Sequence, residues 1–323
     1  MAAAEGAPAQ AGGQQRAAAG PLTRPRPHPP HAHTRTRCAA GPLWLARAHL
    51  DDGSGEPFFV FNSDVTCDYP LKELLDFQRS HAGSEGTLLI TRVVDFTKYG
   101  VVAHDEAGLV SAFVEKPSKD TWGNHINAGL YCLSPSILAR IPANTPCSIE
   151  KEVFPFAAEE KRLFCLRIKK EDQGGYWMDI GQPKDYVTGV HLHLKHVRAT
   201  APAELAAPRA GIRGNVLIHP TATVAETAVL GPDVVVGPGC RVEEGARLLH
   251  STLLEGSVVK AHAYVDMSIV GWKSTVGQWG RVEGSTVLGE DVQVGEGVLV
   301  NGALVLPHKS VRESIFTKGS IIM

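Results

Sequence analysis

No hydrophobic run in this 323-residue sequence approaches the roughly 20 residues needed to cross a bilayer. Pro, Gly or a charged residue interrupts every apolar stretch, so a membrane role has no support. Neither sign of charge is in excess: 32 Lys and Arg stand against 34 Asp and Glu, a formal net charge of -2. Nothing therefore marks a binder of nucleic acid or another polyanion. Cysteines are few and far apart (Cys38, Cys67, Cys132, Cys147, Cys165, Cys240), without the short paired spacings of zinc or redox motifs. Buried, reduced thiols in a cytoplasmic protein are expected. The rest, 43 % hydrophobic and 20 % charged, suits a globular chain of about two domains.

Residues 1–55 are rich in Ala, Pro, Gly and Arg, with few apolar residues before Leu43-Trp44-Leu45. Such a composition cannot offset chain entropy by burial, and the segment is expected to be a disordered tail. Its Arg-rich, acid-poor character loosely suits a transit peptide, although the amphipathic face is poorly developed. From Pro57 the texture changes. Phe58-Phe59-Val60-Phe61 reads as a buried strand running into Asn62-Ser63-Asp64, and Pro70 opens a helix with Leu71, Leu74 and Leu75 on one face. Further strands are expected at 87–91, 99–103, 109–114 and 127–133, and Ser134-Pro135 starts another helix. Alternating strands and helices over 56–205 predict an α/β sheet.

After Ile212 an apolar residue recurs at every sixth position, at Ile218, Val224, Leu230, Val236, Val242, Leu248 and Leu254. A second series, shifted in phase, takes in Val270, Val276, Val282, Leu288, Val294, Val300 and Leu306. This period predicts a β-helix over 206–323, each turn aiming one branched side chain per face inward. Its likeness is to the left-handed hexapeptide β-helix. Lys260 falls where an apolar residue is due, which predicts a protruding loop between Lys260 and Ile269. Of the solenoid histidines His219, His250, His262 and His308, one could serve as an acyltransferase base. Trp272 and Trp279 are expected to pack on the coils.

Ligands of open α/β sheets bind beyond the carboxyl ends of strands, and Asp64 stands at such an end. It could hold a metal or cap the following turn. Asp179, in Gly175-Tyr176-Trp177-Met178-Asp179-Ile180-Gly181, ends an aromatic strand, and two acids on neighbouring strand ends could share one Mg²⁺. In Phe113-Val114-Glu115-Lys116-Pro117 the lysine could hold a phosphate, or Glu115 and Lys116 could be a surface ion pair. Asn127-Ala128-Gly129 offers an amide and close backbone approach for sugar hydroxyls, or a plain strand-edge turn; Tyr99-Gly100 reads the same way. His191, His193 and His196 are not spaced to share one helix face, which favours a solvated helix over a metal site.

Read in order, Phe58 to Val65, Lys98 to Val102, Phe113 to Pro117, Ile126 to Tyr131, Ser148 to Pro155 and Trp177 to Pro183 resemble the sugar-nucleotide pyrophosphorylases, and within them mannose-1-phosphate guanylyltransferase. Ile269 to Trp272, Val276 to Trp279, Val305 to Ser310 and Ile321-Ile322-Met323 resemble that family's β-helix. The likeness is read over 56–323. It implies a truncated Rossmann-like nucleotidyltransferase domain followed by a left-handed parallel β-helix of hexapeptide repeats, joining GTP and mannose 1-phosphate into GDP-mannose and pyrophosphate. It further implies Mg²⁺ on Asp64 and Asp179, Lys116 at the sugar phosphate, and Glu115, Asn127, Gly129, Gly100 and Glu152 around the mannose. Asp179 within Trp-Met-Asp-Ile-Gly points to the catalytic beta type. Expected partners are further copies through the β-helix and the regulatory alpha-type subunit. The family's Gly-Gly-x-Gly-Thr-Arg phosphate loop does not occur in the sequence, which leaves the triphosphate site incomplete and an apolar sheet edge without a neighbour. The alternative reading is a catalytically inactive form acting as an oligomerisation or regulatory subunit.

Overall fold

The computed structural model describes residues 40–117, 122–143, 145–169 and 174–323. Its first element corrects the expected tail. Ala40–Leu50 forms a helix, α1, with Leu43 buried in the sheet core and Trp44 and Leu50 packed against it. Composition averaged over 55 residues hides one short apolar helix that finds a surface to cover. Residues 1–39 lie outside the described residues.

Eight strands build the α/β region: β1 (Phe58–Phe61), β2 (Val65–Cys67), β3 (Gly86–Arg92), β4 (Gly100–His104), β5 (Val110–Glu115), β6 (His125–Leu133), β7 (Leu163–Arg167) and β8 (Trp177–Asp179). The central β6 pairs with β3 from His125 to Asn127 and from Tyr131 to Leu133, with a shift of register between Leu88 and Ile90. Its other edge is shared, by β4 at Ile126 and by β1 from Leu130 to Leu133. β5 extends the sheet beyond β4, and β7 runs parallel to β3. The β6 residues from Ala128 to Leu133 are buried throughout, as a strand covered on both faces requires. Helix α2 (Leu71–Ser80) covers one face with Leu74. Its buried Gln78 is satisfied by Ser84, Thr87 and Ser134. A wide helical turn at Ile149–Val153 leads into α3 (Phe154–Glu159), which packs Phe154 and Ala157 into the core.

Helix α4 (Pro183–Thr200) links the sheet to the solenoid: its Leu194 and Val197, with Leu205, pack against Leu217 and Val235 on the outer face of the first coils. The solenoid is parallel throughout, with faces of seven, six and five strands. Val236, Val242, Leu248, Val276 and Val300 point inward as the six-residue period predicts.

Two expectations need correction. Leu253 and Val305, not Leu254 and Leu306, are the inward residues, and no loop protrudes between Lys260 and Ile269. The register explains both. Ile218 pairs with Val236, eighteen residues on, whereas Val236 pairs with Leu253 and Leu253 with Val270, each seventeen on. The missing residue comes out of one corner. There His250 and Met267 take left-handed φ values of 42° and 46°, and buried Ser251 and Ser268 close the turn by donating to the carbonyls of Leu249 and Asp266. Trp272 and Trp279 stand half-exposed on the coils, Trp279 stacked 4.3 Å from the ring of the preceding coil's His262. Among the described residues no helix is long and apolar enough to cross a membrane.

Candidate active site

Asp64 leaves the carboxyl end of β1, and Asp179 ends β8. The antiparallel pairing of β2 with β8 sets Val65 opposite Asp179, and the Ile180 N–H donates to the Asp64 carbonyl at 2.7 Å. Residues 115 apart in sequence are thus neighbours. A Cβ placed on Gly181 would stand 3.2 Å from Asp179 Oδ1 and 3.4 Å from Asp64 Oδ2, so the two carboxylates approach one point beside this residue. Gly181 N–H also donates to Asp179 Oδ1 at 3.0 Å, fixing that carboxylate. Burial, then the Asp179 charge beside it, pushes the Tyr99 hydroxyl above its ordinary range and keeps it a proton donor. Tyr99 packs edge-on against Trp177, whose indole N–H donates to the Ala128 carbonyl at 2.9 Å and ties β8 to β6.

On the neighbouring strand ends, Asn127 Oδ1 accepts from the Gly129 N–H at 3.0 Å, while its Nδ2 donates to the buried Tyr131 hydroxyl at 2.8 Å. Gly129 has φ +76°, and a Cβ there would meet Asn62 Nδ2 at 2.7 Å. Asn127, Gly129 and Asn62 are therefore one unit. Gly100 pairs with Glu115 across β4 and β5, and its missing side chain gives the Glu115 carboxylate room. Burial raises the Glu115 carboxyl above the ordinary range, partly offset by Lys116. Lys116 stands next in line with φ +49°, its ammonium 3.8 Å from Glu115 and its side chain mostly exposed. Its N–H donates to the Tyr99 carbonyl, linking this end of the sheet to the Asp179 side.

Glu152 stands apart from this group. Its carboxylate accepts from the Ser148 N–H at 3.2 Å, while the Ser148 hydroxyl accepts from Lys151 N–H, a capping arrangement on an exposed turn. Glu150 lies inward: its charge helps hold up the pKa of Tyr131, after burial, and that of Glu115. Sequence reasoning missed Glu150, Tyr131 and Asn62. The signal available was the Glu-Lys-Glu run itself, where helical geometry turns the first acid inward and the third onto its own cap. Beside Asp64 a cavity of about 380 Å³ opens between Leu43, Val60, Tyr131 and Ile149. A second, of about 510 Å³, lies against Tyr99, Trp177, Arg92 and Lys169. The helical histidines hold separate partners, His191 on Asp233 and His193 on the Tyr176 hydroxyl.

The family model described as nucleotidyl transferase matches residues 24–195, and the one described as GMPPB C-terminal domain matches 212–322. "Probable mannose-1-phosphate guanylyltransferase 1" of Oryza sativa subsp. japonica is 53 % identical over 285 residues, 88 % of this chain and 76 % of its own length. "Mannose-1-phosphate guanylyltransferase 1" of Arabidopsis thaliana is 51 % identical over 286 residues, with the same two shares. "Mannose-1-phosphate guanylyltransferase catalytic subunit beta" of Danio rerio is 50 % identical over 277 residues, 85 % of this chain and 74 % of its own. These lengths exceed the stretch from Glu56 to Met323, so the similarity reaches upstream of the boundary that the motifs alone suggest. A nucleotidyltransferase sheet with paired carboxylates at its strand ends, a parallel solenoid behind it and these matches lead to one conclusion: the chain belongs to the mannose-1-phosphate guanylyltransferase family.

Proposed function

We propose that this chain transfers the guanylyl group of GTP to mannose 1-phosphate in the cytoplasm, giving GDP-mannose and pyrophosphate for glycosylation. The observation that supports it most is the convergence of Asp64 and Asp179 on the point above Gly181. Among the described residues no three His, Cys, Asp or Glu side chains could together hold a metal ion, and two carboxylates suit Mg²⁺, which keeps waters and takes the rest of its shell from substrate phosphates. When bound there, Mg²⁺ would neutralise charge gathering on the phosphates. The protein's own part is positioning. An oxygen of the sugar phosphate attacks the α-phosphorus of GTP, the bond to the β-phosphate oxygen breaks, and pyrophosphate leaves. Lys116 would hold the sugar phosphate as a point charge, with the Glu115 carboxylate, Gly100, Asn127, Gly129 and Glu150 lining the mannose. Glu152 would act on this surface only indirectly, through the turn that it caps.

Assembly through the solenoid, with further copies and with a regulatory alpha-type subunit, is supported by one outer face. Ile269, Val287, Leu304 and Ile321 are register neighbours there, and the last two are 39 % and 58 % exposed beyond the reach of α4.

Purified chain supplied with GTP, mannose 1-phosphate and Mg²⁺ should release pyrophosphate, and Asp64→Asn should abolish the release. A folded, oligomeric sample without turnover would sink the reading and leave the non-catalytic subunit in its place.

A further inference from the structure

We infer that Tyr131 is a positioning residue of the sugar site: its buried hydroxyl joins the Asn127 amide on β6 to the Glu150 carboxylate on the turn before α3, so that the two meet the sugar as one preset donor and acceptor. The inference rests on the guanylyltransferase reading above. It adds a residue that does not itself reach the substrate, since Tyr131 is 1 % exposed.

The backbone makes the link possible. In a straight strand the α-carbons of residues 127 and 131 would stand about 13 Å apart, too far for an Asn amide to meet a hydroxyl on a parallel side chain. β6 is not straight there. Leu88 pairs with Tyr131 and Ile90 with Asn127, so two residues of β3 are matched by four of β6, and Gly129 in the middle has φ +76°. That bulge brings Asn127 Nδ2 to 2.8 Å from the Tyr131 hydroxyl, while Oδ1 of the same amide accepts from the Gly129 N–H. The amide is held at both ends. Phe154, which opens α3 directly after the turn, meets the Tyr131 ring edge-on at 5.1 Å and is itself packed by Phe113 at 5.5 Å.

A tyrosine hydroxyl has one proton to give. Asn127 uses Tyr131 as an acceptor, so that proton is directed elsewhere, and Glu150 is the carboxylate that takes it. Burial and then the Glu150 charge raise the pKa of this hydroxyl, the Asn127 bond lowers it, and Glu150 raises it again as a hydrogen-bond acceptor. Glu150 Oε2 also accepts from the Ser148 hydroxyl at 3.1 Å, which holds the carboxylate from its own turn. Two groups bonded to one hydroxyl oxygen lie within about 5 Å of each other. Each keeps capacity to spare, the second N–H of the Asn127 amide and the further lone pairs of the Glu150 carboxylate. A donor and an acceptor at that spacing suit neighbouring hydroxyls of a sugar ring.

The test measures binding of mannose 1-phosphate to the full chain by calorimetry, in the parent, Tyr131→Phe, Glu150→Ala and the double variant. Tyr131→Phe removes one oxygen and keeps the ring against Phe154, but leaves Asn127 held at one end and Glu150 held by Ser148. It should weaken binding roughly tenfold in the parent and by no more than about threefold in the Glu150→Ala background, where the pair is already broken. A purely structural role for the hydroxyl would give the same loss in both backgrounds, and that result overturns the inference. So would an unchanged affinity in Tyr131→Phe beside a parent that binds. A parent chain that binds no mannose 1-phosphate would sink the guanylyltransferase reading itself, and this inference with it.

Discussion

Gly100 owes its identity to the carboxylate it faces. A Cβ there would lie 2.8 Å from both Glu115 Oε2 and the Phe113 ring, so Gly100→Ala should displace Glu115, raise the KM for mannose 1-phosphate and cost about 1–3 kcal/mol in stability. Glu115 itself is held at a cost. Because burial raises its carboxyl pKa, the folded state keeps the proton longer than the unfolded chain, whose value is 4.5. The neutral form's stability is present below 4.5 and is lost as pH climbs through the raised folded value. Glu115→Gln should therefore melt higher than the parent at neutral pH, with the difference closing toward pH 4.5, while turnover falls. Kinetics should also separate the neighbouring acids: Glu150→Gln should raise KM roughly tenfold or more, a loss of about 1.4 kcal/mol, and Glu152→Gln should change it little. The pairing of Asp64 with Asp179 was legible in the sequence because each ends an apolar strand. Glu150 was not, because a run of three polar residues does not declare which one the turn directs inward.

At the scale of elements, the most concentrated ionic device holds β3, the helical turn at Pro135–Arg140 and the end of α3 together. Glu85, its side chain 4 % exposed, is paired with Arg140 and, at 2.9 Å, with Arg162, and Arg140 also reaches Glu160. Without Arg140 the buried Glu85 keeps only Arg162, and Glu160 is released to solvent, so Arg140→Met should lower the unfolding free energy by about 1–3 kcal/mol in urea titration. Strands β3 to β6 were read from the sequence within a residue or two because their apolar runs are bounded by Gly, Pro or polar clusters. Helix α1 was lost for the opposite reason: its eleven residues follow a proline-rich stretch that dominates any windowed average. Its burial of Leu43 is a tertiary effect, invisible until the sheet is in place.

For the whole molecule, α4 is the joint. Its Leu194 and Val197 belong to the packing with the first solenoid coils, while His193 receives or gives a hydrogen bond at Tyr176 on the sheet side. Burial lowers the His193 pKa below 6.5, so as pH falls through 6.5 the unfolded chain takes up a proton first and the joint loses stability. The expected outcome is loosening of the sheet domain as pH falls below 6.5, which His193→Gln suppresses, followed by limited proteolysis at the 174–182 segment. The solenoid, held by nearest-neighbour contacts, should resist under the same conditions.

The corner that removes one residue from a coil also says how this half of the chain can change. At that corner the step between inward residues is six at Val282 to Leu288, where Gly284 and Ser285 are both left-handed, and five at Val265 to Val270 and at Val300 to Val305. Both step lengths reach the same strand register, so a reading-frame shift introduced on the surface is healed before the next interior side chain. Deleting Ser285 should shift Tm by only about 2–4 °C. Deleting Gln278, at a corner where Val259 to Val265, Val276 to Val282 and Val294 to Val300 all keep six, should unseat the coil. One edge of the solenoid is thus free to drift in length while the other two hold the count.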